Sequence, residues 1–279
     1  MRKTAFLFLF CFYLFASAYG RQTIKPDPLL RDSLLHLGYT IYNEPNEPER
    51  LQANYLFIKT LVQLLKASNS FEMDLDTLKM ISIKKPANQK LRIFSWHLPL
   101  NDGSYRYYGA IQLHTSDGSL RLFPLIDQTP DIGNPDQASL DNNHWFGAQY
   151  YDLQEFEGLP DHYILLGWKG TNPKLMQKVI DILWIKDEKI HFGKALFSGT
   201  GIAPYITRMV YRYHAQASML LKFDPDKKRI LMDHLAPIDP KFKENDEYYG
   251  PDMSYDAWEI QPSKLVLIED LPLKNEEIK

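Results

Sequence analysis

The sequence has only one cysteine, Cys11, among its 279 residues. Cys11 lies inside the apolar start of the chain, which we expect to be removed on export, so the mature chain has no thiol. This absence excludes disulfides, cysteine nucleophiles and thiolate metal sites together. A chain of this length buries about 70–75% of its unfolded surface, so it does not need disulfides to be stable.

The short motifs of common catalytic and cofactor sites are also missing. The eight histidines are scattered, and no His-Glu-x-x-His zinc motif is present. The nearest approach to the Gly-x-Ser-x-Gly turn of serine hydrolases, at Phe197–Gly201, lacks the first glycine. Neither phosphate-binding glycine fingerprint occurs. We therefore expect no metal site and no cofactor. A metal-dependent enzyme that uses scattered histidines brought together by folding is a third hypothesis.

Long runs of positive charge and of apolar residues are absent from most of the chain. The formal net charge is -3 at pH 7, and no basic run resembles those of nucleic-acid-binding proteins. After residue 20, no apolar stretch approaches the roughly 20 residues that cross a bilayer. We therefore expect no nucleic-acid partner and no integral membrane segment in the mature protein.

The first twenty residues, in contrast, have a clear pattern. Arg2 and Lys3 precede a short apolar run that ends in the small residues of Ala16–Gly20. A charged start, an apolar run and a small-residue site are typical of a secretory signal peptide, here predicted over residues 1–20. Cleavage after Ala18 or after Gly20 fits the pattern. The predicted location is periplasmic or extracellular.

Residues 21–86 are predicted to form a helical N-terminal segment. A short helix is favoured over Leu29–Leu37, and one or two further helical turns over Glu72–Met80. The best-marked helix covers Pro48–Lys66, because proline and acid occupy its first turn and lysine ends it. Spacings of four and three residues predict its buried face, made of Leu51, Tyr55, Ile58, Val62 and Leu65 and widened by Leu61 and Leu64.

Residues 87–279 are predicted to form an antiparallel β-rich domain that packs as one unit with 21–86. Three strands, over 91–98, 104–115 and 119–127, are separated by Asn101-Asp102-Gly103 and Ser116-Asp117-Gly118. Both triplets are typical of hairpin turns, because glycine tolerates positive φ. A long loop is predicted over 128–144, and more strands follow it.

Two later segments complete the predicted fold. Thr171-Asn172-Pro173 is interpreted as the cap of a helix over Lys174–Leu183. The residues of Met209–Phe223 alternate between apolar and polar, which predicts one long, half-buried strand. The predicted fold class is therefore α+β and β-rich: N-terminal helices followed by an antiparallel β-sheet with one inserted helix.

Five short segments stand out in the second half of the chain: FGAQYY (146–151), LLGW (165–168), KVIDIL (178–183), MDHLAP (232–237) and YGPDMSYD (249–256). With these segments, and over roughly residues 90–270, the chain resembles a group of uncharacterised exported proteins of Bacteroidetes-type bacteria. The resemblance implies a protein exported by a Gram-negative cell. It carries no known activity, so no catalytic residue follows from it.

One segment, Tyr248–Glu259, combines carboxylates with aromatic rings. Glycosidases need two carboxyls about 5–9.5 Å apart around a sugar, with aromatic platforms nearby. Sugar-binding modules need the aromatic platforms but not the catalytic carboxyls. Asp252 and Asp256 are the candidate catalytic carboxylates. In the structural alternative, the rings anchor a loop and the aspartates bond within turns. The candidate ligand-binding residues of this segment are Tyr249, Asp252, Tyr255, Asp256 and Trp258.

Arg212 and His214 are further candidate ligand-binding residues, because both point to one side of the predicted strand. They line either a polar groove or an ordinary solvated sheet face. Taken together, these features favour a non-enzymatic exported protein that binds an envelope component, either a glycan or another protein. The alternative is a hydrolase of saccharide or cell-wall material that uses carboxylates such as Asp252 and Asp256.

Overall fold

The computed structural model describes residues 24–272. The predicted signal peptide, with Cys11, lies outside the described residues. Helix α1 spans Pro28–Asn43 and helix α2 spans Glu47–Leu65. The side chain of Asp27 accepts hydrogen bonds from the backbone N–H groups of Leu29 and Leu30, which caps the start of α1.

Both N-terminal helices were predicted, with differences in length and orientation. Helix α1 is longer than the Leu29–Leu37 helix, and only a short 3-10 turn, Ser70–Glu72, lies near the segment Glu72–Met80. Helix α2 agrees with the predicted bounds, but its buried face is rotated. Tyr55, assigned to that face, is 55% exposed. Leu61, Leu64 and Leu65 are buried as predicted, and the rest of the buried face consists of Arg50, Ala53, Asn54 and Phe57.

The first sheet confirms the predicted meander of hairpins. Its strands are antiparallel in the order β1-β2-β3-β4. Gly103 and Gly118, in the turns that join β2 to β3 and β3 to β4, have φ of 82° and 73°, as the turn sequences require. The bounds are β1 (Ser82–Lys84), β2 (Leu91–Pro99), β3 (Tyr105–Leu113) and β4 (Arg121–Ile126).

The second sheet lies in the middle of the molecule. Its strands run in the order β5-β9-β8-β7-β6, and β11 pairs with the first half of β8. Neighbouring strands in it are antiparallel. The bounds are β5 (Leu140–Asp141), β6 (Gln149–Glu155), β7 (His162–Asn172), β8 (Leu175–Lys186), β9 (Lys189–Phe192) and β11 (Met209–His214).

The third sheet has the order β10-β15-β14-β13-β12, and β10 pairs with β15 in parallel. Its other pairs are antiparallel. The bounds are β10 (Phe197–Ser198), β12 (Leu221–Asp224), β13 (Arg229–Pro237), β14 (Tyr249–Gln261) and β15 (Lys264–Ile268). The coarse prediction of a β-rich α+β fold with N-terminal helices is therefore confirmed.

The predicted inserted helix over Lys174–Leu183 is wrong. This segment belongs to β8, which pairs with β7 along most of its length. The carboxamide oxygen of Asn172 accepts hydrogen bonds from the backbone N–H groups of Lys174 and Leu175. Here that side chain closes the turn of a β-hairpin, although the same sequence is also typical of a helix cap.

The predicted single strand over Met209–Phe223 is also wrong in part. It is divided into β11 and β12, which belong to different sheets. The chain turns between them, where the backbone N–H of Ala217 donates to the carbonyl of His214. The apolar side chains still point inward, since Tyr213, Met219 and Leu221 lie in the core shared by the second and third sheets.

Three large apolar cores join four layers, and a small fourth cluster surrounds Phe146, Val179 and Val210. The helices pack on one face of the first sheet around Phe57, and the other face of that sheet packs on the second sheet around Tyr150. The second sheet then packs on the third around Ile180 and Trp258. The second sheet is thus covered on both faces. Of the helices in residues 24–272, neither has the combination of length and apolar composition needed to cross a membrane.

Candidate functional site

The predicted ligand segment Tyr248–Glu259 is mostly strand β14, not a loop. A bulge interrupts its pairing with β13, because Asp233 lies opposite Tyr255 while Leu235 lies opposite Pro251. Met253, at the tip of the bulge, is 92% exposed and has φ of 73°. The bulge re-aims the side chains around it, as such irregularities do at sheet edges and binding sites.

The aromatic candidates of this segment are largely used for packing. Trp258 is fully buried, and its indole N–H donates a hydrogen bond of 2.6 Å to the hydroxyl of Tyr211. It is therefore not accessible as a ligand platform, which corrects that part of the prediction. Tyr249 and Tyr255 are half-buried, and the hydroxyl of Tyr249 donates to the carbonyl of Lys243.

The two candidate carboxylates also have internal partners. Asp252 accepts hydrogen bonds from the backbone N–H and the hydroxyl of Ser254, and these bonds lower the pKa of its carboxyl. Asp256 is buried and lies 2.8 Å from Nδ1 of His234. That hydrogen bond raises the pKa of His234. A carboxyl with a lowered pKa is unsuited to donate the proton that glycoside cleavage requires.

Arg212 lies between two aspartates. Its guanidinium is 3.2 Å from the carboxylate of Asp136 and 3.8 Å from that of Asp246. Nδ1 of His214 accepts a hydrogen bond from the backbone N–H of Gln216. Asp246 lies in the turn before β14, and Tyr211, next to Arg212, bonds Trp258, so the two candidate regions are neighbours. Arg212 itself pairs with that turn and with the loop that carries Asp136.

Within residues 24–272, no three His, Asp or Glu side chains are grouped so that they could hold a metal ion. The histidines that lie near carboxylates, such as His144 beside Asp141, do so in pairs. Six of the seven sequence candidates have a polar group bonded within the protein: Asp252, Asp256, Arg212, His214, Tyr249 and Trp258.

A cleft of about 440 Å³ lies where the second and third sheets meet. We call it the seam cleft. Three connections form its walls: the loop after β6, the turn between β12 and β13, and the turn between β14 and β15. Its lining includes Gln154, Glu157, Phe223, Lys228, Ile260 and Gln261. Its size falls within the range of about 300–1,000 Å³ typical of small-molecule sites.

The floor of the seam cleft is apolar and its rim is polar. Phe223 and Ile260 are half-buried extensions of the core between the two sheets. Pro225 and Pro262 add two exposed rings to the wall. An apolar floor with a few polar groups above it is the usual composition of a ligand site.

Two pairs of a hydrogen-bond donor and an acceptor lie at the rim or next to it. The ammonium of Lys228 lies 2.9 Å from the carboxylate of Glu157, on the opposite side of the seam. The side-chain amide of Gln261, which lines the cleft, donates at 3.1 Å to the carboxylate of Glu259, which lies just outside the lining. Each pair therefore places a donor group directly beside an acceptor group.

The close contact between two walls of the seam cleft depends on one glycine, Gly158. A side chain at Gly158 would start only 1.7 Å from the carbonyl oxygen of Pro262. The loop after β6 therefore lies directly on the backbone of the turn between β14 and β15. This close approach fixes the distance between the two walls of the cleft.

Sequence reasoning did not find the seam cleft. Its lining comes from three turns spread over residues 154–262, and each of them is an ordinary polar turn in the sequence. Two other hollows, of about 480 and 490 Å³, lie on the second sheet and beside it, but charged and polar loop residues dominate their lining. The seam cleft differs from both because of its apolar floor.

Comparison of the chain with protein-family models, with curated protein sequences and with solved structures finds no match.

Proposed function

We propose that the protein is a non-catalytic, exported binding protein that holds a saccharide of the cell envelope in the seam cleft. The observation that supports this most directly is the cleft of about 440 Å³, with an apolar floor below a rim of paired donors and acceptors. Export rests on the N-terminal signal pattern. Of the two partner classes considered from the sequence, the cleft favours a glycan over a protein.

The rim suits sugar hydroxyls. A hydroxyl is at once a donor and an acceptor, so it is best satisfied beside an adjacent donor and acceptor of the protein. The Lys228–Glu157 and Gln261–Glu259 pairs provide this arrangement. The floor suits the other face of a sugar ring, because its C–H groups pack well on Phe223 and on the prolines.

Binding without catalysis fits the state of the carboxylates. Asp224, on the cleft, lies 2.9 Å from the guanidinium of Arg229, and Glu157 is paired with Lys228. Both carboxylates are therefore occupied by cationic partners inside the protein. The alternative of a hydrolase acting through Asp252 and Asp256 has less support, because both carboxylates are bonded internally.

The proposal is tested by ligand-detected NMR with a panel of soluble oligosaccharides from bacterial and plant cell walls. We expect at least one member to bind saturably and to remain intact on prolonged incubation. Removing both rim donors, with Lys228→Ala and Gln261→Ala, should weaken that binding about tenfold or more, because hydrogen bonds to charged groups contribute about 1.5–3 kcal/mol.

Lys90→Ala is the matched control. Lys90 forms an exposed ion pair with Asp161 at 2.8 Å, comparable with the Lys228–Glu157 pair but outside the seam cleft. The control variant should bind as the unchanged protein does. Binding that is equally strong in the double variant would place the sugar elsewhere. Release of new reducing ends would show that the protein is a hydrolase instead.

A further inference from the structure

A lysine and a histidine form a close pair on the second sheet, outside the seam cleft. Nζ of Lys194 lies 2.5 Å from Nε2 of His162. Lys194 follows the end of β9, and its backbone is fixed on both sides. Its N–H donates to the carbonyl of Thr207, and its carbonyl accepts from the N–H of Leu196. The amine is thus presented from a constrained backbone.

The other side of the imidazole determines its protonation. Nδ1 of His162 lies 2.7 Å from the carbonyl oxygen of Pro160. A carbonyl only accepts hydrogen bonds, so Nδ1 carries the proton and the lone pair of neutral Nε2 points at Lys194. The order amine, imidazole, carbonyl repeats the arrangement of a nucleophile, its base and a group that orients the base.

An indole ring holds both members in place. Trp184 on β8 lies opposite His162 on β7, and their rings stack with centroids 6.0 Å apart. Nζ of Lys194 lies 4.8 Å from the centroid of the same indole. The amine and the imidazole are therefore positioned by one rigid aromatic side chain.

The electrostatic surroundings favour the uncharged forms. Burial lowers the pKa of Lys194, and the charge of Lys186 lowers it further. Burial is also the main cause that lowers the pKa of His162, where Lys194 adds to the effect and Asp161 opposes it. At this distance the two groups cannot both be protonated without repulsion, so the pair titrates as a unit. Both side chains stay partly open to solvent.

We propose that Lys194 is a nucleophilic amine, activated by His162, that is acylated by esters and related acyl donors. In its uncharged state, Nζ attacks the carbonyl carbon of the ester. An N–C bond forms and the C–O bond to the leaving alcohol breaks. The proton released by Nζ passes to Nε2 of His162 and from there to the departing oxygen, which leaves an amide on Lys194 and a free alcohol. The site needs no metal and no redox partner.

This site does not depend on saccharide binding. Neither His162 nor Lys194 lines the seam cleft. Failure of one proposal therefore leaves the other unaffected, since one is measured by ligand NMR and the other by covalent labelling.

The test is competitive acetylation with a limiting amount of p-nitrophenyl acetate at pH 7, followed by peptide mapping with mass spectrometry. Lys189, an exposed lysine on the neighbouring strand, is the internal control. We expect Lys194 to be acetylated at least about tenfold faster than Lys189, a conservative figure beside the ~10²–10⁴-fold that a positioned base contributes. Equal rates at the two lysines would overturn the proposal.

Variants at His162 separate activation from simple exposure. His162→Phe keeps a ring against Trp184 but removes the base, and His162→Gln keeps a polar side chain without a basic nitrogen. In either variant that keeps the thermal unfolding midpoint within a few degrees, acetylation of Lys194 should fall toward the rate of Lys189. Acetylation that stays as fast in both would mean that His162 does not activate the amine.

Discussion

The side chain of Lys169 offers the sharpest test of the buried polar network in the middle sheet. It is only 4% exposed, and its ammonium donates to the hydroxyl of Thr129 and to the carbonyl of Gly147. The rings of Tyr107 and Phe146 lie 4.2 and 4.6 Å from it. Burial lowers the pKa of Lys169 to about 8, and the carboxylate of Asp127 opposes this only in part.

The sign of the resulting pH dependence follows from linkage. Between pH 8 and the ordinary lysine pKa of 10.5, the unfolded chain holds this proton more tightly than the folded one. The free energy of unfolding therefore rises with pH in that window, and the gain is lost as the pH falls through about 8. From pH 7 to pH 9 the free energy of unfolding therefore rises by about 1.4 kcal/mol, the equivalent of about one pKa unit.

The perturbation is Lys169→Met, which keeps the length of the side chain and removes its charge. Urea unfolding followed by tryptophan fluorescence at pH 7, 8 and 9 gives the free energy of unfolding of each protein. The unchanged protein should gain about 1.4 kcal/mol relative to the variant across this range. The measurement stops at pH 9 because burial raises the pKa of Tyr42 to about 12, and ionised tyrosines in the unfolded chain reverse the trend.

Lys59→Met is the control, because Lys59 is exposed on α2. Other buried groups that titrate in this window affect the unchanged protein and both variants alike, so they cancel in the difference. A difference between the unchanged protein and Lys169→Met that stays constant from pH 7 to pH 9 would refute the reasoning.

Three further predictions concern other buried groups. Trp258→Ala should lower the free energy of unfolding by about 3–5 kcal/mol in urea, since it empties a core position rather than a binding surface. Asp181→Asn should cost about 3–5 kcal/mol in the same assay, because it leaves the guanidinium of Arg208, which is 0% exposed, without its anionic partner. The hydrogen bond to Asp256 raises the pKa of His234. This bond therefore stabilises the folded state at a pH below the ordinary histidine pKa, and the stabilisation is lost as the pH rises through the raised pKa. His234→Asn should therefore reduce the fall in unfolding midpoint between pH 5 and pH 8.

Helix α2 shows how much the sequence predicts and where it misleads. Its bounds were predictable from its proline, acidic and lysine residues, but its orientation was not. Asn54 and Arg50 are buried, because the carboxamide of Asn54 accepts a hydrogen bond from the indole of Trp96, and the guanidinium of Arg50 donates to the carbonyl of Pro99 and to the carboxamide oxygen of Asn101. A buried face that includes polar residues is invisible to a count of apolar spacings, since its partners lie far away in the sequence.

Strand β8 was mistaken for a helix for a related reason. The middle sheet is covered on both faces, so both sets of side chains along β8 are buried and the alternation that identifies a strand disappears. What remained was a helical spacing at Leu175, Val179 and Ile182. The β-branched residues in this segment were the better indicator, because they are enriched in strands.

The candidate sites were harder to predict than the fold. The hairpins of the first sheet depend on local turn chemistry, which short triplets encode. The seam cleft depends instead on the close approach of Gly158 to Pro262, about a hundred residues apart in the chain. Lys194 and His162 meet only because β7, β8 and β9 lie in register. No local pattern encodes either arrangement.

The layered architecture explains why both candidate sites lie at strand ends. The faces of the middle sheet are occupied by packing against the first and third sheets, so a ligand group there would displace core side chains. The connection between β6 and β7 escapes this constraint. It contributes Glu157 and Gly158 to the seam cleft and leads directly into His162. Side chains in this connection can therefore change the chemistry at the surface without disturbing the cores, whereas substitutions on the sheet faces should affect stability first.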